Sequence, residues 1–488
     1  MSTSIVTPSR GGILASSVVA DAKFFGPSEP RASSITARLD SVRPGDLFVV
    51  LPGRDDSLAD VQAALDAGAS LVVSEQLWPL ADVPQLVVDD ARAAYGELCQ
   101  ALVGNPATEL PVVGIAGTHG KTSVALLVAS ILKQAGHSPS CFTNRINMVS
   151  GDLRTMPSST EAASIAHNLG EAVATGSTHV LLETDEKLLA SHQLAGVPLD
   201  LACITNLYAD NTAGDSSPEE SRQRMLRVVD QLAPHGVLVA NADDADCQRM
   251  LATYDGAAVT FAQHRPAEVV GRVIEQHAGE QSFLLTIDGE TAVVTTRIVG
   301  TLHVNNCLAA AAIATTYGVS LADIAGGLAA VERLPGVMQR IASALEFATY
   351  VDGGNSPESL RACLAGVRST TGGRLFAVVP GQSLATFSVA QAMSDQSIDV
   401  TGWSSLPADV RDAIVGIVGG GSVARKLPRA VLMRMAATAS AVLAAEPGDA
   451  IVIAGCRSRA KSLGRLDESV LLESVLCTIA HLRKAQAA

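Results

Sequence analysis

The run GIAGTHGKTS, Gly114 to Ser123, constrains this chain more than any other stretch. It follows the apolar residues Pro111-Val112-Val113 and opens the helical pattern VALLVASILKQAG, so it reads as strand, glycine loop and helix. Backbone N–H groups in such a loop, with the helix N-terminus behind them, supply positive potential for phosphate oxygens. Lys121 adds a charge for the outer phosphates and Thr122 a hydroxyl for Mg2+. The glycines fall at 114, 117 and 120, whereas strict P-loop spacing would put one at Ile115, so the register is a variant. The competing reading is an ordinary strand-to-helix turn that happens to carry Gly-Lys-Thr; the strand before and the helix after favour the phosphate cradle.

The surrounding chain reads as three blocks. Residues 1–108 alternate short β-like runs (DLFVVL, SLVVSE, QLVVDD) with helical stretches such as LADVQAALDAGA. Residues 109–334 alternate near-continuous apolar strands (THVLLET, LDLACITN, GVLVAN) with helices, the pattern of a parallel sheet buried on both faces. A β-rich insert, roughly 258–299, closes this block. Residues 335–488 begin near Leu334-Pro335-Gly336, a hinge-like stretch, and return to a β/α pattern with FATYVDGG, RLFAVVPG, IDVTGW and DAIVIAGC as strands. GIVGGGSVARK, from Gly416, is glycine-rich but comes after a helical rather than a strand pattern, so it reads as a flexible loop, with a second phosphate site the weaker alternative.

Composition narrows the function classes. With 488 residues, several domains are expected. A formal charge of −14 argues against nucleic acid as the main partner, while leaving room for a local basic pocket. Eight cysteines lie singly with no C-x-x-C pair, which fits reduced thiols in the cytoplasm. Neither a signal-peptide pattern nor an apolar run of bilayer length is present, so no membrane partner is expected.

Taken with its neighbours, GIAGTHGKTS resembles the ATP-binding loop of the Mur ligases, and further stretches resemble the MurE branch over nearly the whole chain. These are SVRPGDLFVVLPG, NRINMVSGDLRTMPSSTEAASI, ITNLYADN, HVNNCLAAAAIA, LPGVMQRI, VDGGNSPESL and EPGDAIVIAGC, in family order. The resemblance implies a three-domain α/β fold with a central P-loop parallel-sheet ATPase domain and a C-terminal Rossmann-like domain. It implies an ATP-dependent, Mg2+-requiring ligase that joins a small-molecule carboxylate to an amine through an acyl phosphate. The nucleotide cradle carries over onto Gly117, Thr118, His119, Gly120, Lys121, Thr122 and Ser123, with Asn306 and Asp352 facing the nucleotide. Lys121 and Glu183 carry over as catalytic residues and Thr122 and Glu183 as metal ligands, with Asn206 and Asp210 in the motif after the next strand. Ser158, Ser159 and Arg457 are the corresponding substrate-binding candidates.

The departures from the family pattern are equally specific. Asn211 stands where the family has a metal-holding histidine, and Met225, beside Arg224, where it has a lysine that becomes carbamylated. Val337, Gly353, Asn355 and His303 replace an arginine, a tyrosine, a histidine and an asparagine. The substrate signatures align with Arg38-Leu39-Asp40, Trp403-Ser404-Ser405-Leu406 and Cys456-Arg457-Ser458-Arg459-Ala460, and Thr160 replaces a proline. Asp185 and Glu186 offer extra carboxylates that could serve Mg2+ or simply charge the start of a helix. Arg457, Arg459 and Lys461 could bind an anion or be a solvated face. Two functions follow: a MurE-like ligase with altered substrates, or a nucleotide-binding protein without ligase activity acting as scaffold or regulator.

Overall fold

The computed structural model describes residues 11–379, 398–402 and 437–455, apart from 145, 155–160, 208–216, 278, 335–336, 342–345, 354–356, 439–440 and 443. The chain falls into two compact units. The first comprises 1–207, 219–268 and 309–324, and the second 208–218, 269–308 and 325–488.

The first unit opens with β1 (Lys23–Phe25), β2 (Ile35–Thr36), β3 (Leu47–Val49), α1 (Leu58–Asp66), β4 (Leu71–Ser74), β5 (Gln85–Val87) and α2 (Ala91–Leu102). The strands order as β1-β5-β4-β3-β2, parallel except at β1. Each helix begins where a side chain can cap it. Ser57 and Asp60 form a reciprocal capping box on α1, and the Asp90 carboxylate accepts from the Arg92 and Ala93 amides on α2. The apolar faces of β3 and β4 pack on α2 together with Ala162, Ala163 and Ala166.

The same unit continues with β6 (Val112–Ala116), α3 (Lys121–Gln134), β7 (Pro139–Phe142), β8 (Asn147–Val149), β9 (Asp152–Leu153), α4 (Ala162–Ala174), β10 (His179–Glu183) and α5 (Glu186–Ala190). After these come β11 (Leu199–Ile204), α6 (Pro218–Leu226), β12 (Leu232–Asn241), α7 (Ala245–Leu251) and β13 (Ala257–Ala262). Strand order here is β13-β12-β11-β6-β10-β7-β8-β9, parallel from β13 to β7. Every residue of β6 and β10 is buried, as expected of strands with apolar middles when helices cover both faces. The chain leaves β6 toward β7 on one side and returns to β11 on the other. The carboxyl ends of β10, β6 and β11 therefore flank a switch point, where open parallel sheets form their ligand crevice.

The second unit holds a meander of β14 (Val269–His277), β15 (Glu280–Ile287) and β16 (Glu290–Thr296), all antiparallel. The helix α8 (Thr301–Thr316) crosses from the second unit into the first, and α9 (Leu321–Ala329) follows it. A last sheet of β17 (Gln339–Arg340), β18 (Ala348–Val351), β19 (Leu375–Val379), β20 (Ile398–Gly402) and β21 (Ala450–Ile453) orders as β17-β18-β21-β19-β20, with α10 (Pro357–Arg368) between β18 and β19. The β-rich insert differs from the sequence reading at its start. Ala257–Ala262 pairs in parallel with β12, so the antiparallel region begins only at Val269. Its first strand, VVGRVIEQH, escaped the reading because charged and exposed residues interrupt its apolar alternation. GIVGGGSVARK lies outside the described residues.

Candidate functional site

The glycine loop spans from the end of β6 to the first turn of α3. Gly117 has φ +131°, and a Cβ there would come 2.2 Å from Thr205 Oγ1 and 2.9 Å from the Asn206 carbonyl. Gly120, at φ +87°, forms the N-cap of α3. Both positions exploit the left-handed freedom of glycine. The residues after β11 clamp the loop. The Thr118 and His119 amides donate to the Asn206 carbonyl and Oδ1, both at 3.0 Å, and Asn206 Nδ2 returns a bond to the His119 carbonyl at 3.0 Å. The Thr205 hydroxyl donates to that same carbonyl at 2.7 Å. This clamp engages the Thr118 and His119 amides. The N–H groups from Lys121 through Ser123 lie in the first turn of α3, where a helix has no internal acceptor and presents its positive end.

Lys121 folds its ammonium back over the loop, donating to the Gly117 carbonyl at 2.6 Å and the Thr118 carbonyl at 3.3 Å. The Thr122 hydroxyl donates to Glu183 Oε2 at 2.6 Å. Register explains this meeting: Glu183 ends β10 opposite Ile115 of β6, so its carboxylate reaches the first turn of the helix that β6 feeds. Glu183 is only 7% exposed. Asn144, just after β7, holds both its oxygens, with the backbone amide on Oε2 and Nδ2 on Oε1, each at 3.2 Å. Sequence reasoning missed Asn144, since nothing local distinguishes it and strand order alone brings it to Glu183. A hydroxyl beside a buried, oriented carboxylate is a hard-oxygen pair that suits Mg2+, which completes its shell with water and phosphate oxygens. Among the described residues no group of three or more His, Cys, Asp or Glu side chains converges into a metal cage.

The extra carboxylates after Glu183 have structural partners. Asp185 is the N-cap of α5, its Oδ1 accepting from the Leu188 amide at 2.8 Å. Its other oxygen lies 3.4 Å from Asn144 Nδ2. Glu186 accepts from Ser221 Oγ at 2.7 Å and Arg224 Nη1 at 3.0 Å, tying α5 to α6. Met225 is 5% exposed and belongs to the apolar core beneath the sheet.

In the second unit, Asn306 is buried on α8. One turn earlier, His303 places Nε2 3.0 Å from Thr296 Oγ1 and 3.4 Å from Cys307 Sγ, and burial pulls its pKa down to about 4. Asp352 follows β18, and its carboxylate accepts from the Met338 amide at 2.9 Å, fastening the LPGVMQRI segment to the last sheet. Ser158, Ser159, Thr160, Asp210, Asn211, Asn355, Trp403 to Leu406, Arg457, Arg459 and Lys461 lie outside the described residues. The six cysteines among the described residues are free and buried, as their isolated spacing implied. No helix among the described residues is long and apolar enough to cross a membrane.

Residues 115–314 match the Mur ligase middle domain. The chain is 29% identical over 358 residues to the UDP-N-acetylmuramoyl-L-alanyl-D-glutamate--2,6-diaminopimelate ligase of Geobacillus kaustophilus, an alignment covering 71% of this chain and 72% of that one. It is 27% identical over 448 residues to the UDP-N-acetylmuramyl-tripeptide synthetase of Deinococcus radiodurans, covering 88% and 90% of the two chains. A solved structure of a UDP-N-acetylmuramoyl-L-alanyl-D-glutamate--2,6-diaminopimelate ligase superimposes with a TM-score of 0.69 at 20% identity, over 95% of this chain and 97% of that one. The chain thus has the three-domain Mur ligase fold, and in sequence it resembles the MurE-type ligases along most of its length.

Proposed function

We propose that this Mur-ligase-like chain is an ATP-dependent ligase that forms an amide between a small-molecule carboxylate and an amine, MurE-like in mechanism but altered in substrates. The observation that carries this reading is the 2.6 Å contact between the Thr122 hydroxyl and Glu183, held at the mouth of a glycine loop in the crevice of a parallel sheet. Gly117, Thr118, His119, Gly120, Lys121, Thr122 and Ser123 would cradle the triphosphate, with Thr122 and Glu183 holding Mg2+. When bound, ATP supplies the phosphoryl group that turns the carboxylate into an acyl phosphate, from which the amine displaces phosphate as the amide bond forms.

The chain's own contribution is positional. Lys121, now on the loop carbonyls, would give its charge to the outer phosphate oxygens when ATP binds, countering charge where the phosphoryl group departs. Glu183, with both carboxylate oxygens bonded by Asn144, would hold the cation beside the Thr122 hydroxyl. Asn306 and Asp352 are the nucleotide-facing candidates, and Ser158, Ser159 and Arg457 the substrate candidates. A division at residues 108 and 334 would place the cradle in the middle domain and Arg457 in the last.

The test is release of ADP and phosphate on mixing ATP and Mg2+ with pools of carboxylates and amines. Turnover that requires both a carboxylate and an amine supports the ligase; tight ATP binding with no amine-dependent turnover in any pool would overturn it. A second reading has one specific observation in its favour. Met225 lies in the apolar core where the resemblance implies a lysine that supports ligation. On that reading the chain binds nucleotide and does not ligate, acting as a scaffold or regulator.

A further inference from the structure

The geometry points to a phosphate-binding pocket in the second unit, formed between the tip of the β14–β15 hairpin and the segment that leads into β17. The cavity measures about 250 Å3, and Arg297, Arg333 and Arg340 all line it. Its floor is apolar: Ile298 is 3% exposed and Met338 8%. Glu332 is the carboxylate on the wall, and its Oε1 accepts from Arg297 Nη1 at 2.7 Å.

Charge and shape select the ligand class. Among the lining residues three guanidinium groups outnumber the one carboxylate, in a chain whose net charge is −14. That excess matches the dianion of a phosphate monoester, whose oxygens fit guanidinium N–H forks. Arg340 lies against the hairpin tip, where a Cβ at Gly279 would come 2.8 Å from its Nη1. The Arg297–Glu332 pair is 62% and 61% exposed, so water screens it and an incoming anion can exchange with Glu332 at little cost. Beneath the charged rim, the Ile298–Met338 floor takes an apolar body. The ligand class is therefore a phosphoryl group carried on an apolar or aromatic body. It is distinguished from a carboxylate on the same body by its second negative charge.

Calorimetric titration of phenyl phosphate, with benzoate and inorganic phosphate in parallel, tests the assignment. The Lys121→Ala chain serves as host so that the glycine loop does not report, and the unmutated chain carries both sites. Phenyl phosphate should bind saturably and more tightly than either comparison anion. The double change Arg297→Gln with Arg333→Gln should weaken it roughly tenfold or more. Glu332→Gln should tighten it by roughly three- to tenfold, because the competing carboxylate has lost its charge. All these side chains are at the surface, so the variants keep their fold, checked by an unchanged melting temperature. Absence of saturable binding, equal binding in the arginine variants, or weaker binding in Glu332→Gln would each overturn the proposal.

Discussion

Two places near the same sheet edge solve the problem of polar groups in opposite ways. At the ends of β6, β10 and β11, Thr122, Glu183, Thr205 and Asn206 bond toward the glycine loop and leave the first turn of α3 facing the crevice. A few residues further along, on α5 and α6, Glu186 closes on Arg224 and Ser221 while Met225 sinks into the core. The first arrangement is preorganised for something anionic and for a divalent cation. The second is complete in itself. The difference teaches that, on the proposed function, nucleotide handling and the chemistry after it would rest on separable parts of one compact unit. A chain can hold the first fixed while the second is rebuilt.

The largest expected effect breaks the comparison on its second side. Met225→Lys would force an ammonium into an apolar core, and urea unfolding should show a loss of about 2–4 kcal/mol. An unchanged unfolding midpoint would mean that the side chain reaches water, and the contrast between the two places would collapse. On the first side, Lys121→Ala removes the charge that bonds the Gly117 carbonyl at 2.6 Å. ATP affinity measured by calorimetry should fall roughly 100-fold, about 2.7 kcal/mol, with the melting temperature in the absence of nucleotide little changed. Retained tight binding would remove the phosphate-loop assignment.

What was legible in the sequence was local or carried by the family resemblance. The glycine loop could be read because its chemistry lies within ten residues, and Glu183 because the family resemblance reaches it; its place at the end of β10 is where open parallel sheets hold ligands. Partnerships that depend on strand order could not. Asn144 reaches Glu183 across 39 residues because β7 lies beside β10, and Arg224 reaches Glu186 across 38. No periodicity encodes those meetings. The role of Asp185 was open in the sequence, since a carboxylate at a helix start serves a cap and a cation equally well; geometry gives it the cap. β14 was missed because its alternation is interrupted, so tertiary pairing fixed a strand that pattern alone did not announce.

Two smaller effects sharpen the comparison between sealed and open polar groups. His303 is sealed: burial holds its pKa down to about 4, against an ordinary 6.5. The unfolded chain therefore takes up its proton first as pH falls, and stability is lost progressively from about pH 6.5 toward pH 4, by up to about 2–3 kcal/mol. His303→Asn should flatten that acid slope in denaturation series at pH 7 and pH 4.5. Only part of it should go, because His179, likewise held by burial at about 4, titrates over the same window. An unaltered slope would show that His303 does not contribute to it.

Asn144 is the open counterpart, and its effect should be the smallest. Asn144→Ala removes the Nδ2 bond to Glu183 Oε1 but keeps the backbone amide on Oε2, so the carboxylate loses one of its two bonds to Asn144. The Mg2+ concentration needed to support ATP binding should rise roughly three- to tenfold, about 1 kcal/mol. ATP binding in EDTA should not change, because the loop itself is untouched. This split separates a positioning residue from a general packing defect. If both affinities fall together, Asn144 supports the loop's fold instead. If neither moves, the backbone amide alone orients Glu183, and the Thr122–Glu183 pair is more rigid than its two-sided tether suggests.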